Sequence, residues 1–245
     1  MNEDMANLKA RLLGGWLGDR LLRDLVVSNV EPVHRRFRRI RVGASWLGEA
    51  PPGAGDKVQI YLPDVGARTY TPFDIGRGSE AFSLLFYLHG DTPGARFARG
   101  IEVGNTLRVL GPGRSIPLES LALPIALFGD ETSLGIARSV YELAAVGGRT
   151  GARSIAHLEV SSIEDASAAC AALGLSDATL IVRDDNDGHL EEVARRLSAS
   201  TRDGGTIVLT GRASSIQKLR ALLRSGSRRP QSVKAYWADG KRGLD

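Results

Sequence analysis

Arg68-Thr69-Tyr70-Thr71 ends a predicted strand, Ala67–Thr71, and is followed by Pro72. Arginine offers a planar fork of N–H donors that matches a diphosphate. Tyr70 lies two residues further along the strand, so its ring points to the same side and can lie against a flat ligand. Thr71 can hydrogen-bond the edge of that ligand. An edge strand with an exposed arginine and a packed tyrosine is the alternative interpretation.

Two further segments have the composition of a phosphate or ring site. His89-Gly90 ends the predicted strand Ala81–Leu88, and Thr92-Pro93-Gly94-Ala95-Arg96 follows as a turn of small residues that lets backbone N–H groups approach an anion. Gly129-Asp130-Glu131-Thr132 follows the apolar run Pro124–Phe128 and opens a predicted helix, which suits a dinucleotide phosphate. The alternatives are a polar hairpin turn for the first segment and a simple helix cap for the second.

The order of the predicted elements indicates two domains. Short strands separated by Gly/Pro turns between residues 29 and 118 predict a small antiparallel barrel. Strands and helices alternate over residues 119–245, which predicts a parallel sheet with helices on both faces. Leucines and Trp16 at helical spacing predict a helical N-terminal extension over residues 1–28, packed on the barrel or on a partner chain.

The predicted strands of the barrel are Arg36–Val42, Lys57–Leu62, Ala67–Thr71, Ala81–Leu88 and Thr106–Leu110. In the second domain we predict strands at Pro124–Phe128, Ser154–Val160, Thr179–Val182 and Thr206–Thr210, and helices from Gly129 to about Val146 and at Ser162–Leu173, Leu190–Ala199 and Ser214–Arg224.

Together these stretches resemble the FAD domain of siderophore-interacting proteins, the bacterial ferric-siderophore reductases of the ferredoxin-reductase-like superfamily. Gly55–Pro63, Gly104–Leu107 and Gly111–Ser115 carry the resemblance further, and it runs from about Val30 to Gly240. The resemblance implies an antiparallel β-barrel FAD domain followed by an α/β parallel-sheet nicotinamide-binding domain.

The resemblance also implies which residues form the site. Arg68, Thr69, Tyr70 and Thr71 are expected to hold FAD, and His89, Gly90, Gly94, Ala95 and Arg96 to lie near its phosphates or ring. Gly129, Asp130, Glu131 and Thr132 are expected to face NADPH or NADH or the domain cleft. Arg212 occupies a later strand-to-helix turn where the family has an acidic residue, and it either favours an anionic cofactor group or is a neutral surface change.

The activity that the resemblance implies is the reduction of Fe(III) in a siderophore. NAD(P)H would give a hydride to FAD, which would pass single electrons to the ferric siderophore, so that Fe(II) is released. No catalytic side chain is expected, because the flavin carries the reaction and the protein orients it. The alternatives are a reductase of the same fold with another acceptor (a protein, a quinone or free flavin) and a non-catalytic module that binds an anionic ligand or nucleic acid.

Composition narrows the function classes. Cys170 is the only cysteine, which excludes an internal disulfide and an Fe–S cluster held by four thiolates of this chain. The four histidines show no metal-ligand spacing, so we expect no metal site. No apolar window reaches the ~18 residues of a membrane span, and Met1-Asn2-Glu3-Asp4 is acidic, unlike a secretory signal. We expect a cytoplasmic monomer.

The charge distribution has one dense feature. The formal net charge is +4, and the run from His34 to Arg41 contains five arginines. This run either contacts phosphates or forms a strand with a solvated arginine face, and we favour the strand. A basic surface suits an anionic ferric chelate, and nucleic acid is not the expected ligand.

Overall fold

The computed structural model describes residues 22–62, 66–75, 80–147, 153–224 and 230–240. Six antiparallel strands form the first sheet, in the order β4-β3-β6-β1-β2-β5. Their bounds are β1 Arg23–His34, β2 Phe37–Gly43, β3 Lys57–Leu62, β4 Gly66–Tyr70, β5 Ala81–Tyr87 and β6 Thr106–Gly113. A backbone bridge between Phe73 and Ser83 draws the β4 edge toward β5, so that the sheet curls on itself.

The interior of this first sheet is apolar because alternate residues of each strand point inward. Ile40, Val58, Ile60, Leu84 and Val109 are fully buried in one cluster. Helix α1, Pro93–Gly100, contributes Ala98 to the same cluster. The helix therefore packs on the barrel rather than standing away from it.

A five-stranded parallel sheet follows, in the order β11-β10-β7-β8-β9. Its strands are β7 Ile125–Gly129, β8 Ile155–Val160, β9 Thr179–Val182, β10 Thr206–Arg212 and β11 Gln231–Trp237. Helices α2 Leu134–Gly147 and α3 Ile163–Ala172 pack on one face, and α4 His189–Ser200 and α5 Ala213–Arg224 pack on the other. The predicted two-domain fold class is confirmed, whereas the division at residue 118 stays a prediction.

The two sheets share apolar packing. Phe37 and Phe73, from the first sheet and the loop after β4, belong to the same buried cluster as Leu127 and Leu158 of the parallel sheet and Leu134 of α2. The 3-10 turn Leu118–Ser120 connects the two sheets, and Leu118 is buried in that cluster. This common packing fixes the ends of β4 and β5 against the ends of β7 and β8.

Four sequence predictions are wrong or incomplete. Residues 23–28 are the first part of β1, not a helix, whereas residues 1–21 lie outside the described residues. The small-residue turn after His89 is the start of α1. Arg35 and Arg36 form the turn between β1 and β2 rather than a solvated strand face. Strand β11 was not predicted; it pairs with β10 in parallel.

Candidate functional site

The ends of β4 and β5 meet where the sheet curls on itself. The rings of Tyr70 and Phe86 are 4.3 Å apart between centroids, which continues the antiparallel register set by the Phe73–Ser83 bridge. The end of β4 therefore contacts β5, the strand that leads to His89-Gly90, the second segment that the sequence predicted to contact the ligand.

The Arg68-Thr69-Tyr70-Thr71 side chains are all partly buried. Arg68 donates from Nη1 to the carbonyl of Ala67 at 2.8 Å. Burial raises the pKa of the Tyr70 hydroxyl, so this side chain is a neutral phenol at physiological pH. The Thr71 hydroxyl lies 3.5 Å from the hydroxyl of Tyr236 in β11, so the end of β4 also touches the second sheet.

The segment after His89 is a helix start rather than a turn. The Thr92 hydroxyl accepts a hydrogen bond from the N–H of Ala95 at 3.3 Å, and Pro93 occupies the first helical turn. His89 is exposed, and its ring stacks with that of Tyr87 at 5.6 Å between centroids. Arg96 donates to the carboxylate of Asp91 at 2.8 Å, which holds its guanidinium beside the start of the helix.

This surface has the features that a flavin dinucleotide requires. A Cβ added at Gly90 or Gly94 would meet no atom within 4 Å, so the backbone at both positions is open to a ligand. Gly90 has a positive φ of 58°, a conformation that a side chain would disfavour. The positive end of the α1 dipole suits a diphosphate, and the partly buried Tyr70 suits a flat ring. The residues present therefore fit FAD.

The Gly129-Asp130-Glu131-Thr132 segment is built differently. Asp130 is fully buried, and its carboxylate accepts from the N–H of Thr132 at 2.8 Å and from the indole N–H of Trp237 at 2.6 Å. Burial raises the pKa of Asp130. The N–H of Ser133 donates to the Asp130 carbonyl. Two N–H groups that the sequence predicted to be available for a phosphate are therefore already bonded within the protein.

Glu131 connects the two halves of the molecule. It is 6 % exposed, and its carboxylate accepts from the N–H of Ser161 at 2.6 Å, from Arg183 at 3.1 Å and from the Tyr87 hydroxyl at 3.4 Å. Ser161 follows β8, Arg183 follows β9 and Tyr87 ends β5. Glu131 thus lies in the cleft between the sheets, where the carboxyl ends of parallel strands form the usual ligand position of such folds.

Arg212 is held by acidic groups of this chain. Its guanidinium donates to the carboxylate of Asp239 at 3.0 Å and lies 3.5 Å from that of Asp187. It also stands 6.0 Å from the ring centre of Trp237. The Tyr236-Trp237 pair therefore ties the end of the described chain to the cleft through Thr71, Asp130 and Arg212.

Polar residues on and around β8, where folds of this kind bind the ribose of a dinucleotide, also have partners within the protein. Glu159 is fully buried and accepts from Ser215 at 2.8 Å, with the His189 ring nitrogen at 2.9 Å, so it is not exposed to a ribose. Ser162 caps α3 by accepting from the N–H of Asp165. Arg153 pairs with Asp177.

Sequence reasoning missed a contact network at the junction of the two sheets. Arg35 donates to the Asp165 carboxylate at 2.6 Å, and Arg36 donates to Ser161 at 3.2 Å and to the Tyr87 hydroxyl at 3.3 Å. The only sequence signal was the basic run itself, since a turn that presents two arginines needs acidic partners elsewhere.

Two negative findings apply to the described part of the chain. None of its helices is long and apolar enough to cross a membrane. The same residues contain no group of three or more His, Cys, Asp or Glu side chains arranged to hold a metal ion.

Comparison with known proteins supports the resemblance found in the sequence. Residues 63–116 match the family model of the siderophore-interacting FAD-binding domain. Among solved structures, the siderophore-interacting protein SipS from Aeromonas hydrophila superposes with a TM-score of 0.70 at 23% identity, over 90% of this chain and 92% of that one. A siderophore utilization protein from T. fusca gives 0.65 at 21% identity, over 91% and 95%.

A ferredoxin NADP⁺ reductase from Neisseria gonorrhoeae, solved with bound FAD and NADP, gives a TM-score of 0.67 at 12% identity, over 89% of this chain and 99% of that one. Comparison with curated protein sequences gave no match. The fold is therefore the ferredoxin-reductase-like fold that the sequence predicted. Together with the FAD-binding family model, it supports a flavin-dependent oxidoreductase.

Proposed function

We propose that this protein is an FAD-dependent NAD(P)H oxidoreductase that reduces ferric iron in siderophores and thereby releases Fe(II). The match of residues 63–116 to a siderophore-interacting FAD-binding domain supports this substrate class. The structural relatives named above as siderophore proteins support it further. The net charge of +4 suits an anionic ferric chelate.

One observation carries the proposal. The 4.3 Å contact between the Tyr70 and Phe86 rings joins the end of β4 to the end of β5, directly before the open backbone of Gly90 and Gly94. We expect the arginine fork of Arg68, the ring of Tyr70 and the N-terminus of α1 to share one surface, a combination that matches the diphosphate and the flat ring of FAD.

In this arrangement the residues of the first sheet hold the cofactor. Arg68 and the N–H of Gly94 would bind the diphosphate, and Tyr70 and Thr71 would orient the ring system. FAD, when bound, accepts a hydride from the nicotinamide and gives its electrons one at a time to Fe(III). The protein's own part is binding, orientation and exclusion of water, so no side chain needs to act as acid or base.

The residues of the second sheet shape the nicotinamide side of the cleft. Glu131 and Asp130 are bonded within the protein, and so they position Tyr87 and Trp237 at the cleft instead of contacting a phosphate themselves. Arg183 pairs with Glu131, and its guanidinium lies 5.8 Å from the ring centre of Trp237. It therefore places a positive charge beside both residues. These groups and the ends of β4 and β5 would line the space for the nicotinamide cofactor.

The test is anaerobic titration of the purified protein with NADH and with NADPH. We expect flavin absorbance near ~450 nm that each effective nicotinamide bleaches and that a ferric siderophore restores. Arg68→Ala should weaken FAD binding about tenfold, the scale of a lost charge-assisted hydrogen bond. Arg41→Ala, on β2, is the matched control and should leave FAD binding unchanged. A protein that stays colourless and does not bind added FAD would refute the proposal.

A second acceptor class has support from the fold. The TM-score of 0.67 to a ferredoxin NADP⁺ reductase means that the same scaffold can serve a protein acceptor. Turnover with ferric siderophores, quinones, free flavin and a ferredoxin separates these cases. If only the ferredoxin reoxidises the flavin at an appreciable rate, the protein is a reductase of a protein partner. The binding-module alternative predicts no flavin and steeply salt-dependent binding of nucleic acid.

A further inference from the structure

Arg38 is partly buried and lies on the inner face of β2, at the end of the barrel. Ile40 and Val42, the next two residues on the same face of β2, are fully buried in the barrel interior. Because side chains two residues apart share one face of a strand, Arg38 faces inward at the end of the barrel. Arg39 and Arg41 lie on the opposite face. An arginine in this position needs partners, since burying an unpaired cation is costly.

Its partners are the last carbonyls of helix α1. The Arg38 guanidinium donates to the carbonyl of Ala98 at 2.6 Å and to that of Ile101 at 2.7 Å, and it also donates to the carbonyl of Arg99. The final carbonyls of an α-helix have no partner within the helix. A fork-shaped cation satisfies several of them together and stabilises the negative end of the helix dipole.

The other end of the same helix belongs to the proposed FAD site. Helix α1 has only eight residues, with Thr92 as its N-cap and Gly94 and Ala95 in its first turn. It therefore spans about 12 Å. A shift or tilt at its C-terminus is transmitted directly to the first turn, where the N–H of Gly94 would face the diphosphate. The Arg38 cation would stabilise the negative end of the helix dipole, and the diphosphate would be stabilised by its positive end.

We propose that Arg38 is a positioning residue for FAD: it anchors the C-terminus of α1 so that the first turn of the helix meets the diphosphate. This inference rests on the proposed function, because it requires that FAD bind at the start of α1. Arg38 itself does not contact the cofactor. Lysine is a poor substitute, since a single ammonium group lacks the planar fork that reaches several carbonyls.

The experiment compares Arg38→Met and Arg38→Lys with the wild-type protein and with Arg41→Met, a matched arginine on the outer face of the same strand. FAD and riboflavin are each titrated by fluorescence, and amide hydrogen exchange is measured without ligand. We expect Arg38→Met to weaken FAD binding about tenfold, the scale of hydrogen bonds to a charged group. Arg38→Lys should give a smaller loss, and Arg41→Met none. Riboflavin, which has no phosphate, should bind all variants alike.

Hydrogen exchange should quicken in α1 of the Arg38 variants while β2 and β5 keep their protection. Equal FAD affinity in Arg38→Met and wild type would overturn the inference, as would uniform loss of protection across the barrel. If Arg38→Met does not fold, the test uses Arg38→Lys. Unchanged hydrogen exchange in α1 and unchanged FAD affinity in that variant would also overturn the inference. Failure of the wild-type protein to bind FAD would refute the proposed function instead, so the two failures are distinguishable.

Discussion

The two glycine-containing segments predicted at the cofactor have opposite surroundings. At Gly90 and Gly94 in the first domain, an added Cβ would meet nothing within 4 Å. At Gly129 in the second, it would lie 2.3 Å from the Cβ of Ser133, and at Gly211 it would lie 2.6 Å from the Asp130 carboxylate. The first pair leaves backbone open to a ligand, whereas the second pair allows the protein to pack on itself.

This difference separates segments that can bind a ligand from segments that support neighbouring side chains. A motif on an open surface can contact a phosphate, but the same residue types in a packed turn mainly hold neighbouring side chains in place. Asp130 shows the second case, because its buried carboxylate accepts hydrogen bonds from the N–H of Thr132 and the indole N–H of Trp237. We therefore propose that the first segment binds FAD and that the second shapes the cleft.

The largest effect is expected for Gly129→Ala. The new methyl group would lie 2.3 Å from the Cβ of Ser133 and 2.8 Å from the hydroxyl of Thr210, and neither can move far in a buried turn. Overpacking should lower the free energy of unfolding by about 3 kcal/mol, measured by urea denaturation. Gly94→Ala is the matched control: its stability should change by less than about 0.5 kcal/mol, while its FAD affinity falls. Equal destabilisation of the two variants would contradict the contrast.

Trp237→Phe should have the next largest effect. It removes the indole N–H that donates to the buried Asp130 carboxylate at 2.6 Å. We expect the free energy of unfolding to fall by about 1–2 kcal/mol, because a buried acceptor loses its donor. Trp46→Phe is the comparison in the first domain, where the indole N–H donates to the carbonyl of Asp24 at 3.0 Å near the surface. A loss in Trp46→Phe as large as that in Trp237→Phe would show that burial of Asp130 is not the cause.

Most elements of the fold follow from the periodicity of the sequence, and β1 shows where periodicity fails. Leu21, Leu22 and Leu25 fit helical spacing, yet Leu25 and Val27 also alternate as in a strand and are buried inside the barrel. A short apolar run does not distinguish the two patterns. Pairing of β1 with β2 and β6 decides, and β6 is distant from β1 in the sequence.

The candidate site divides in the same way. Arg68, Tyr70 and Gly94 were predictable because each belongs to a short local pattern. The Glu131 contacts were not, since Tyr87, Ser161 and Arg183 come from three distant strand ends. Arg38 was assigned to a solvated face because the strand pattern does not show that a helix covers the barrel end.

Carboxylates at the junction of the two sheets should make the free energy of unfolding depend on pH. Arg35 donates to Asp165 at 2.6 Å and lowers the pKa of that carboxyl below its ordinary value of 3.8. A carboxyl whose pKa is lower in the folded state stabilises the protein at pH values above its ordinary pKa. This contribution is lost as the pH falls through the folded-state pKa. The free energy of unfolding should therefore fall more steeply below pH 3.8 in the wild type than in Asp165→Asn. Glu164→Gln, which removes the charge of an exposed partner of Arg35, should behave like the wild type. If its pH profile were as flat as that of Asp165→Asn, the effect would not come from Asp165.

Glu142 on α2 should give the smallest effect, with the opposite sign. Its carboxylate lies 3.0 Å from the Arg138 guanidinium and accepts from the N–H of Asp74 at 3.2 Å, beside the Asp74 carboxylate, which also faces Arg138 and Arg39. Burial, and then the Asp74 side chain, raise the pKa of Glu142 from 4.5 to about 7. A raised folded-state pKa contributes stability below 4.5 that is lost as the pH rises to about 7.

The wild-type protein should therefore lose part of its free energy of unfolding over that interval, whereas Glu142→Gln, which cannot ionise, should lose less. Urea denaturation at a series of pH values measures both slopes, and Glu119→Gln, an exposed carboxyl, controls for the removal of one charge. Because Asp74 follows β4 and Glu142 lies on α2, such a difference locates the titration at the contact between the two domains. Identical slopes in all three proteins would mean that the Asp74–Glu142 contact does not form in solution.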